Sequence, residues 1–403
     1  MFQNIRKLIP NILWNLLVAI YYLPLKISRY LFHPLKPKEK IVFCNFNGRG
    51  YGENPQFIAD EILRRGLNYD LVWLVKDTNT YMPEGIRKVA FDTIRAAYEL
   101  ATAKVVVNNV KNALPYIKKK EQYYIQAWHG ELAMKLIEGE CVSTLSPKYV
   151  KESIGDSKIT DVLISGCKID TVVYSKYFWY DGEIMDIGNP RYDVYFRDNE
   201  AANTQTKKRL GIDSQAKIVM YAPTFRDNGR TDVYNLDVAG ILQALETATG
   251  DRWIFIVRMH PNVKSDSTTI AFNDRVIDCS KDPNPQNLVL ISDLLITDYS
   301  SILVDFITIK KPVLLYTPDI EEYERERGLR PIYHEFPFCR ANNNTELIDS
   351  IRELNMATYI NNIIRFTDIS VKSFDDGHAS ERIVDRIQSV MDNEKFAGGR
   401  TCS

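Results

Sequence analysis

Residues 294–316 read LLITDYSSILVDFITIKKPVLLY, and this stretch decides the class of fold. An apolar run, Leu294–Thr297, precedes a helical pattern over Ser301–Ile309, and a second apolar run follows at Val313–Tyr316. A short strand, a helix and another short strand in this order are typical of a βαβ unit, whose strands are parallel and buried on both faces. The stretch therefore predicts an α/β protein.

The same alternation extends along the chain in two series. The first series has candidate strands at Ile41–Phe46, Leu71–Val75, Val105–Asn108, Tyr123–Ala127 and Val162–Ser165, with a helix at Pro55–Arg65. The second series has candidate strands at Lys217–Tyr221, Trp253–Val257, Arg275–Asp278, Leu294–Thr297 and Val313–Tyr316, with a helix at Leu236–Ala248. The stretch Asn199–Gln205 is polar, lacks apolar periodicity and separates the two series.

Two series of this kind predict two doubly wound, Rossmann-like lobes, residues 40–200 and residues 201–403, that face each other across a cleft. The tail from Glu346 onward has a helical pattern, which we assign to the second lobe although it fits packing against either one. In open α/β sheets ligands bind beyond the carboxyl ends of the strands. Polar residues that directly follow a predicted strand are therefore the candidates for function.

The composition excludes some classes of protein. With 45% hydrophobic and 26% charged residues among 403, the chain is neither disordered nor a many-span membrane protein. Residues 1–40 contain seven Lys or Arg and a single acid, Glu39, so the remainder of the chain is net acidic. A net acidic body argues against a nucleic-acid partner.

The segment 1–39 contains an apolar run, Ile12–Leu25, between pairs of basic residues. The run is short for a transmembrane helix, and Pro24 interrupts it. Trp14, Tyr21 and Tyr22 suit the headgroup boundary, and the cations suit an anionic leaflet. We expect an amphipathic helix lying in the membrane interface; the alternatives are an uncleaved signal-like segment and a helix packed on the protein's own body.

Six cysteines are scattered, without a C-x-x-C pair or a Cys/His cluster at the spacing of zinc ligands. Reduced thiols indicate a cytosolic body, and we expect neither a metal nor a cofactor. Together with the N-terminal segment, this predicts a peripheral protein on the cytoplasmic face of the cell membrane.

Two histidines follow predicted strands. His129 stands in Gln126-Ala127-Trp128-His129-Gly130, where the glycine allows a sharp turn that exposes the imidazole, and it is our candidate general base. His260 stands in Arg258-Met259-His260-Pro261, and it would stabilise phosphate oxygens from the other lobe. The alternative for His129 is a histidine bonded to backbone at a turn.

Further candidates lie at other strand ends. Thr224 and Arg226 close the first strand of the second lobe, and the guanidinium fork of Arg226 matches a phosphate. Asp298, Ser300 and Ser301 precede a helix, whose free N–H groups favour an anion. The remaining candidates are Asp305 for a ribose diol, Arg191 in Gly188-Asn189-Pro190-Arg191 for a phosphate, and Trp128, Gly130 and Asn54 for phosphate or acceptor contacts. The alternatives are surface salt bridges for the arginines and ordinary capping for the serines.

Several known motifs are absent. The chain has no G-x-x-x-x-G-K-[ST], no H-E-x-x-H and no G-x-S-x-G, and Gly48-Arg49-Gly50-Tyr51-Gly52-Glu53 fails G-x-G-x-x-G at its last position. These absences remove support from kinase, zinc-protease and lipase functions.

Taken in order, seven segments resemble the CDP-glycerol glycerophosphotransferase family of teichoic acid synthesis: QAWHG, GNPRYD, YAPTFRD, RMHP, TDYSSILVDF, KKPVLLYTPDIEEYERERGL and DGHASERI. The resemblance implies a GT-B-like fold and transfer of an alditol phosphate from a CDP-alditol to a hydroxyl of a lipid-linked acceptor, with release of CMP. His129 would match the family's base and His260 its second essential histidine. The residues that would match donor-side positions are Thr224, Arg226, Arg258, Pro261, Asp298, Ser300, Ser301 and Asp305.

The first lobe departs from the family pattern, because its turn reads Gly48-Arg49-Gly50-Tyr51-Gly52-Glu53-Asn54-Pro55 in place of a Gly-Lys-Ser-like turn. Since this lobe would meet an undecaprenyl-linked glycan or polyol-phosphate acceptor, the sequence leaves glycerol against ribitol phosphate, and teichoic acid against capsule, open. Two further alternatives are a GT-B glycosyltransferase that uses a nucleotide sugar and a non-catalytic membrane-bound scaffold.

Overall fold

The computed structural model describes residues 11–392, apart from residues 112, 113, 115, 133, 227, 261, 262 and 264–269. Its strands form two parallel sheets, which confirms the predicted α/β class. The first sheet has seven strands in the order β3-β2-β1-β4-β5-β6-β7. These strands are β1 (Lys38–Cys44), β2 (Asp70–Val75), β3 (Ile86–Ala90), β4 (Ala103–Asn108), β5 (Tyr123–Gln126), β6 (Val162–Ser165) and β7 (Glu183–Asp186).

The second sheet has six strands in the order β10-β9-β8-β11-β12-β13. They are β8 (Lys217–Tyr221), β9 (Trp253–Val257), β10 (Val276–Asp278), β11 (Leu294–Thr297), β12 (Val313–Tyr316) and β13 (Arg340–Ala341). In both sheets the strand order reverses beside a central strand, β1 or β8, which is the doubly wound arrangement that the sequence predicts.

Helices cover the sheets. Those of the first series are α1 (Asn11–Phe32), α2 (Glu53–Arg64), α3 (Ile94–Thr102), α4 (Pro147–Ile159) and α5 (Lys168–Tyr177). They are followed by α6 (Glu200–Arg209), α7 (Val238–Thr249), α8 (Pro285–Ile291), α9 (Ile302–Thr308), α10 (Ile320–Arg327), α11 (Pro331–His334), α12 (Asn344–Arg352), α13 (Met356–Phe366) and α14 (Ala379–Met391). A 3-10 segment, Pro190–Phe196, lies between the two sheets in the chain.

The sequence predicted one edge strand, β10, as Arg275–Asp278, but it missed the edge strands β3, β7 and β13. Strands β3 and β7 are partly exposed and carry charged residues, as edges that avoid pairing with other chains usually do, so the apolar runs that reveal central strands are missing. The polar stretch after Asn199 is helix α6 rather than a linker. Its one buried residue is Thr206, so the helix carries almost no apolar periodicity that could reveal it.

The chain returns to the first lobe at its end. Three side chains of α14, Ile383, Val384 and Ile387, are fully buried and belong to the apolar core on one face of the first sheet. The helical pattern of the C-terminal tail fitted packing against either lobe, and its last helix packs against the first lobe. The segment before α14 therefore passes beside the carboxyl end of the first sheet.

Candidate active site

The turn that follows β5 carries His129. Trp128 adopts a positive φ of 41°, which is strained for a bulky residue, so surrounding contacts must hold the turn. The buried Asn54 supplies them, since its Nδ2 donates to the carbonyl oxygens of Ala127 at 2.7 Å and of Trp128 at 3.3 Å. The structure thus gives Asn54 a scaffolding role, and its contact with the acceptor stays a prediction.

The His129 ring is oriented by the backbone. Its Nδ1 lies 2.6 Å from the carbonyl oxygen of Asn109, and because a carbonyl only accepts, Nδ1 carries the proton. Nε2 is therefore left with its lone pair. Burial lowers the pKa of His129 despite this hydrogen bond, so the ring is neutral at pH 7 and suited to accept a proton.

Two neighbours of His129, Trp128 and Gly130, have partners within the first lobe. The ring of Trp128 is buried, with its centroid 4.2 Å from that of His129 and 4.8 Å from that of Phe178. The carbonyl of Gly130 accepts a hydrogen bond from the Tyr174 hydroxyl at 3.1 Å. Both residues take part in packing and turn formation, and their phosphate or acceptor contacts stay predictions.

His260 is exposed at the end of β9, on the other side of the cleft, and its ring stacks on Phe225 with the centroids 5.8 Å apart. Partial burial lowers the pKa of His260, and the positive charges of Lys135 and Arg49 lower it further. Both cations belong to the first lobe, on loops next to His129 and Glu53. His260 therefore lies within electrostatic range of the first-lobe loops that carry Lys135 and Arg49. Pro261 lies outside the described residues.

Glu53 is a charge shared between the lobes. It opens α2 with a φ of 57°, and its carboxylate raises the pKa of His129 against the effect of burial. The same carboxylate acts on the pKa of Arg258 in the second lobe, which burial lowers. Arg258 also donates to the carbonyl oxygens of Cys279 at 3.2 Å and Asp282 at 2.9 Å, so it is fixed beside the cleft.

The glycine turn before Glu53 requires glycine at Gly48. Its φ is 87°, and a Cβ there would lie 2.9 Å from the backbone nitrogen of Lys76. The turn is thus pressed against the neighbouring strand end, with Arg49 exposed at its tip.

Arg191 and Asp305 form a buried ion pair between the two lobes. Arg191 is buried and donates to Glu53 at 2.9 Å and to Asp305 at 3.5 Å. Asp305 is buried as well and accepts from the hydroxyls of Tyr195 at 2.6 Å and Tyr192 at 3.2 Å. These contacts pair the two residues with each other, and the phosphate contact of Arg191 and the ribose contact of Asp305 stay predictions.

Arg226 and Asp298 form a second internal network. The guanidinium, only 3% exposed, contacts Asp319 at 2.6 Å and Asp298 at 2.9 Å and donates to the Thr224 carbonyl at 2.6 Å. Asp298 also accepts from the backbone N–H groups of Thr224 at 2.8 Å and Tyr299 at 2.6 Å. The two opposite charges pair inside the second lobe, and the direct donor contacts expected of Arg226 and Asp298 stay predictions.

Three hydroxyls at the same strand ends remain available. Ser301 is the N-cap residue of α9, yet its side chain makes no capping hydrogen bond. The side chain of Ser300 likewise bonds to none of the described residues, and the buried Thr224 hydroxyl lacks a partner among them. Ordinary capping therefore does not explain the two serines, and these hydroxyls keep their donors for an anion.

Buried carboxyls near the His129 turn were missed in the sequence. Burial raises the pKa of Asp170 to about 7 and that of Asp375 to about 6, and it also raises the pKa of Glu131. Asp170 accepts from the backbone N–H of Leu132 at 3.1 Å, and Asp375 accepts from that of Asn189 at 2.7 Å. The sequence signal that could have revealed two of these acids is a nearby glycine: Glu131 stands in HGE and Asp375 in DDG.

Among the described residues, no three His, Cys, Asp or Glu side chains are grouped in a way that could hold a metal ion.

Residues 26–389 match the family described as CDP-Glycerol:Poly(glycerophosphate) glycerophosphotransferase. A teichoic acid poly(glycerol phosphate) polymerase of Bacillus spizizenii is 28% identical over 388 residues, which are 93% of this chain and 97% of that protein. One of Bacillus subtilis is 31% identical over 342 residues, 81% of this chain but only 45% of the longer relative.

Solved structures agree with the sequence relatives. A variant of the wall teichoic acid polymerase TagF, soaked with CDPG, matches with a TM-score of 0.81 and 27% identity. The match covers 94% of this chain and 97% of that chain, so it includes both sheets.

Proposed function

The chain belongs to the CDP-glycerol:poly(glycerophosphate) glycerophosphotransferase family, and from this premise we propose that it transfers glycerol phosphate from CDP-glycerol to a hydroxyl of a lipid-linked glycan or polymer acceptor, releasing CMP. The first lobe, residues 40–200 with helix α14 packed on them, holds the acceptor, and the second lobe, from residue 201 to the segment before α14, holds the donor. The product is a teichoic acid-like cell-wall polymer.

His129 is the general base in this proposal. Its Nε2 takes the proton of the acceptor hydroxyl, and the acceptor oxygen attacks the phosphorus that carries glycerol. The bond between this phosphorus and the bridging oxygen breaks, and CMP leaves with the electron pair. The observation that carries the proposal is the 2.6 Å contact between Nδ1 and the Asn109 carbonyl, which leaves Nε2 as the basic atom.

The opposite side of the cleft stabilises the diphosphate. His260 lies in the field of Lys135 and Arg49, so positive charge from the first lobe converges where His260 is exposed. The hydroxyls of Thr224, Ser300 and Ser301 add donors to the phosphate oxygens. Fixed cations of this kind neutralise charge without a metal ion, and we propose that transfer is metal-independent.

The test is donor choice. Purified protein is incubated with an acceptor and CDP-glycerol, CDP-ribitol or a UDP-sugar, and release of CMP or UDP is followed with and without EDTA. We expect CMP from CDP-glycerol, unchanged by EDTA and lost in His129→Asn. Release of UDP alone would instead establish a glycosyltransferase, and full activity of His129→Asn would remove the histidine from the mechanism.

The protein also attaches to the cytoplasmic face of the membrane in this proposal, and α1 supports it. One side of α1 packs on the body: Leu25 and Ser28 are buried, and the Phe32 ring meets the edge of Tyr98 at 5.5 Å. The other side leaves large apolar residues exposed, namely Ile20, Leu23, Ile27, Tyr30 and Leu31. We call these five residues the apolar stripe; their spacing of three to four places them along one helix face.

Among the described residues, no helix has both the length and the continuous hydropathy that crossing a bilayer requires. Helix α1 continues through Pro24, the residue that interrupts the apolar run in the sequence. The side chains of Trp14 and Tyr21 lie outside the described ones. A helix that docks one face and exposes an apolar stripe on the other fits monotopic attachment.

A further inference from the structure

A cavity of about 950 Å³ opens at the amino-terminal edge of the first sheet. Its walls come from residues 33–37 after α1, Lys104 in β4, residues 118–123 before β5, and Val390 in α14. Because the strands are parallel and His129 follows the carboxyl end of β5, the cavity lies at the opposite edge, roughly 15–20 Å away by the length of a strand. It is separate from the catalytic cleft.

The cavity is strongly basic. Its lining contains five lysines and one histidine against a single acid, Glu121. The lysines are Lys36, Lys104, Lys118, Lys119 and Lys120, and the histidine is His33. A concave surface of one sign focuses its field and attracts an oppositely charged ligand.

Some of these lysines build the wall. Lys118 pairs with Asp161 at 2.9 Å, and Lys119 donates to the carbonyl oxygens of Leu35 and Ala101, which fixes the segment after α1 to the body. Lys36 and Lys120 differ from them. Both are exposed, and neither side chain forms a hydrogen bond or ion pair with another described residue, so their charges are available to a ligand.

The cavity continues the apolar stripe. The stripe ends at Leu31, the cavity begins at His33, and the partly exposed Leu35 lines its mouth. A ligand that fits both surfaces has an anionic head and apolar tails. Lysine binds phosphate oxygens as a compact point charge, and such bonds are stronger than neutral ones.

We propose that this cavity binds the phosphate of an anionic glycerophospholipid, with Lys36 and Lys120 on the head group and the acyl chains along the apolar stripe. The inference rests on the proposed membrane attachment and makes it specific for one class of lipid. It fixes the height of the protein on the bilayer, with the cleft directed away from the bound head group.

The test uses water-soluble dihexanoyl-phosphatidylglycerol, because a dissolved lipid presents no charged bilayer that would attract every surface lysine. Its binding to the full chain is titrated by calorimetry, beside dihexanoyl-phosphatidylcholine and inorganic phosphate. The variant is Lys36→Gln/Lys120→Gln. The control with the same charge change is Lys208→Gln/Lys281→Gln, two exposed lysines of the second lobe.

We expect saturable binding of the phosphatidylglycerol, at least tenfold weaker in the cavity variant and unchanged in the control. Lack of saturation, equal affinity for phosphatidylcholine, or an equal loss in both variants would overturn the proposal. Inorganic phosphate that binds as tightly as the lipid would also overturn it, since the site would then accept any free phosphate.

Release of CMP with a water-soluble acceptor separates this inference from the transferase proposal. We expect both double variants to release CMP at the wild-type rate. Lipid binding without CMP release would contradict the transferase alone, and CMP release without lipid binding would contradict the cavity alone.

Discussion

Arg191 and Asp305 are 114 residues apart in the chain, yet an Nη2 of the arginine lies 3.5 Å from a carboxylate oxygen of the aspartate. Each was expected to contact a ligand, and each instead neutralises the other where the two lobes meet. With Glu53 on its other side, Arg191 links the helix that begins beside His129 to helix α9 of the second lobe. The distance between the lobes thus depends on buried charge.

Replacing Arg191 should destabilise the protein. Arg191→Met leaves Glu53 and Asp305 without their cation, and removing one partner of a buried pair costs about 3–5 kcal/mol. We expect a loss of about 3 kcal/mol in the free energy of unfolding, measured with urea. Arg352→Met, at an exposed pair, should change stability by less than about 0.5 kcal/mol. An unchanged stability with a raised KM for the donor would restore a ligand role to Arg191.

The pH profile should identify the base. Because burial lowers the pKa of His129 and a base works unprotonated, kcat/KM should stay level down to about pH 6.5 and fall only below it. In His129→Asn, kcat/KM should fall roughly 10²–10⁴-fold. His334→Asn, at an exposed histidine paired with Glu324, is the matched control and should keep full activity. An acid limb centred above pH 7 would contradict this assignment.

Asp170 should make stability depend on pH. Burial raises its pKa to about 7 in the folded protein, whereas in the unfolded chain the carboxyl ionises near its ordinary value of about 4. Ionisation therefore favours unfolding, and its stabilising neutral form is lost as pH rises from about 4 to about 7. Over this pH window the free energy of unfolding of Asp170→Asn should rise relative to that of the wild type, by on the order of 2–4 kcal/mol.

Urea unfolding at pH 5 and pH 8 measures this gain for Asp170→Asn. Asp349→Asn, at an exposed carboxylate, should show the same change in the free energy of unfolding between pH 5 and pH 8 as the wild type. If Asp170→Asn shows the same change as the wild type, the Asp170 carboxyl is ionised in the folded protein at both pH values.

Two groups of the second lobe should separate ligand binding from folding. Ser300→Ala removes a hydroxyl without a described partner, so we expect the KM for CDP-glycerol to rise about tenfold at an unchanged Tm, as for a lost hydrogen bond to a charged group. Arg226→Met should lower the Tm strongly, because Asp298 and Asp319 lose their cation. The reverse pattern, a stable Arg226→Met with weak donor binding, would return Arg226 to the ligand.

The apolar stripe should carry membrane affinity. Leu23→Ser/Ile27→Ser removes apolar surface without disturbing the buried Leu25 and Ser28, unlike deletion of the helix. We expect at least tenfold less protein on sedimented vesicles, from about 1–2 kcal/mol of lost burial. Val142→Ser, an exposed apolar residue of the first lobe, should sediment like the wild type. Equal sedimentation of all three proteins would contradict attachment through α1.

Most of the strands that the sequence located are buried on both faces, and the edge strand β10 is the exception. Strands β8, β9, β11 and β12 begin and end where their apolar runs do, because in a central parallel strand every residue is desolvated. The edge strands β3 and β7 and helix α6 were missed, since they expose charged or polar residues to water. The histidines could be placed at strand ends for the same reason: the residue after a buried run leaves the sheet at its carboxyl edge.

The sequence by itself determined the α/β class and the chemical groups gathered beyond the strands, because periodic burial and strand ends are local properties of the chain. Only the tertiary structure decided which of those groups remain available. Arg226 and Asp298 pair inside one lobe, Arg191 and Asp305 pair between the lobes, and Ser300 keeps its hydroxyl. In a desolvated interior a charged side chain needs an oppositely charged partner to offset the cost of its burial. Which partner it has depends on how distant segments of the chain pack together.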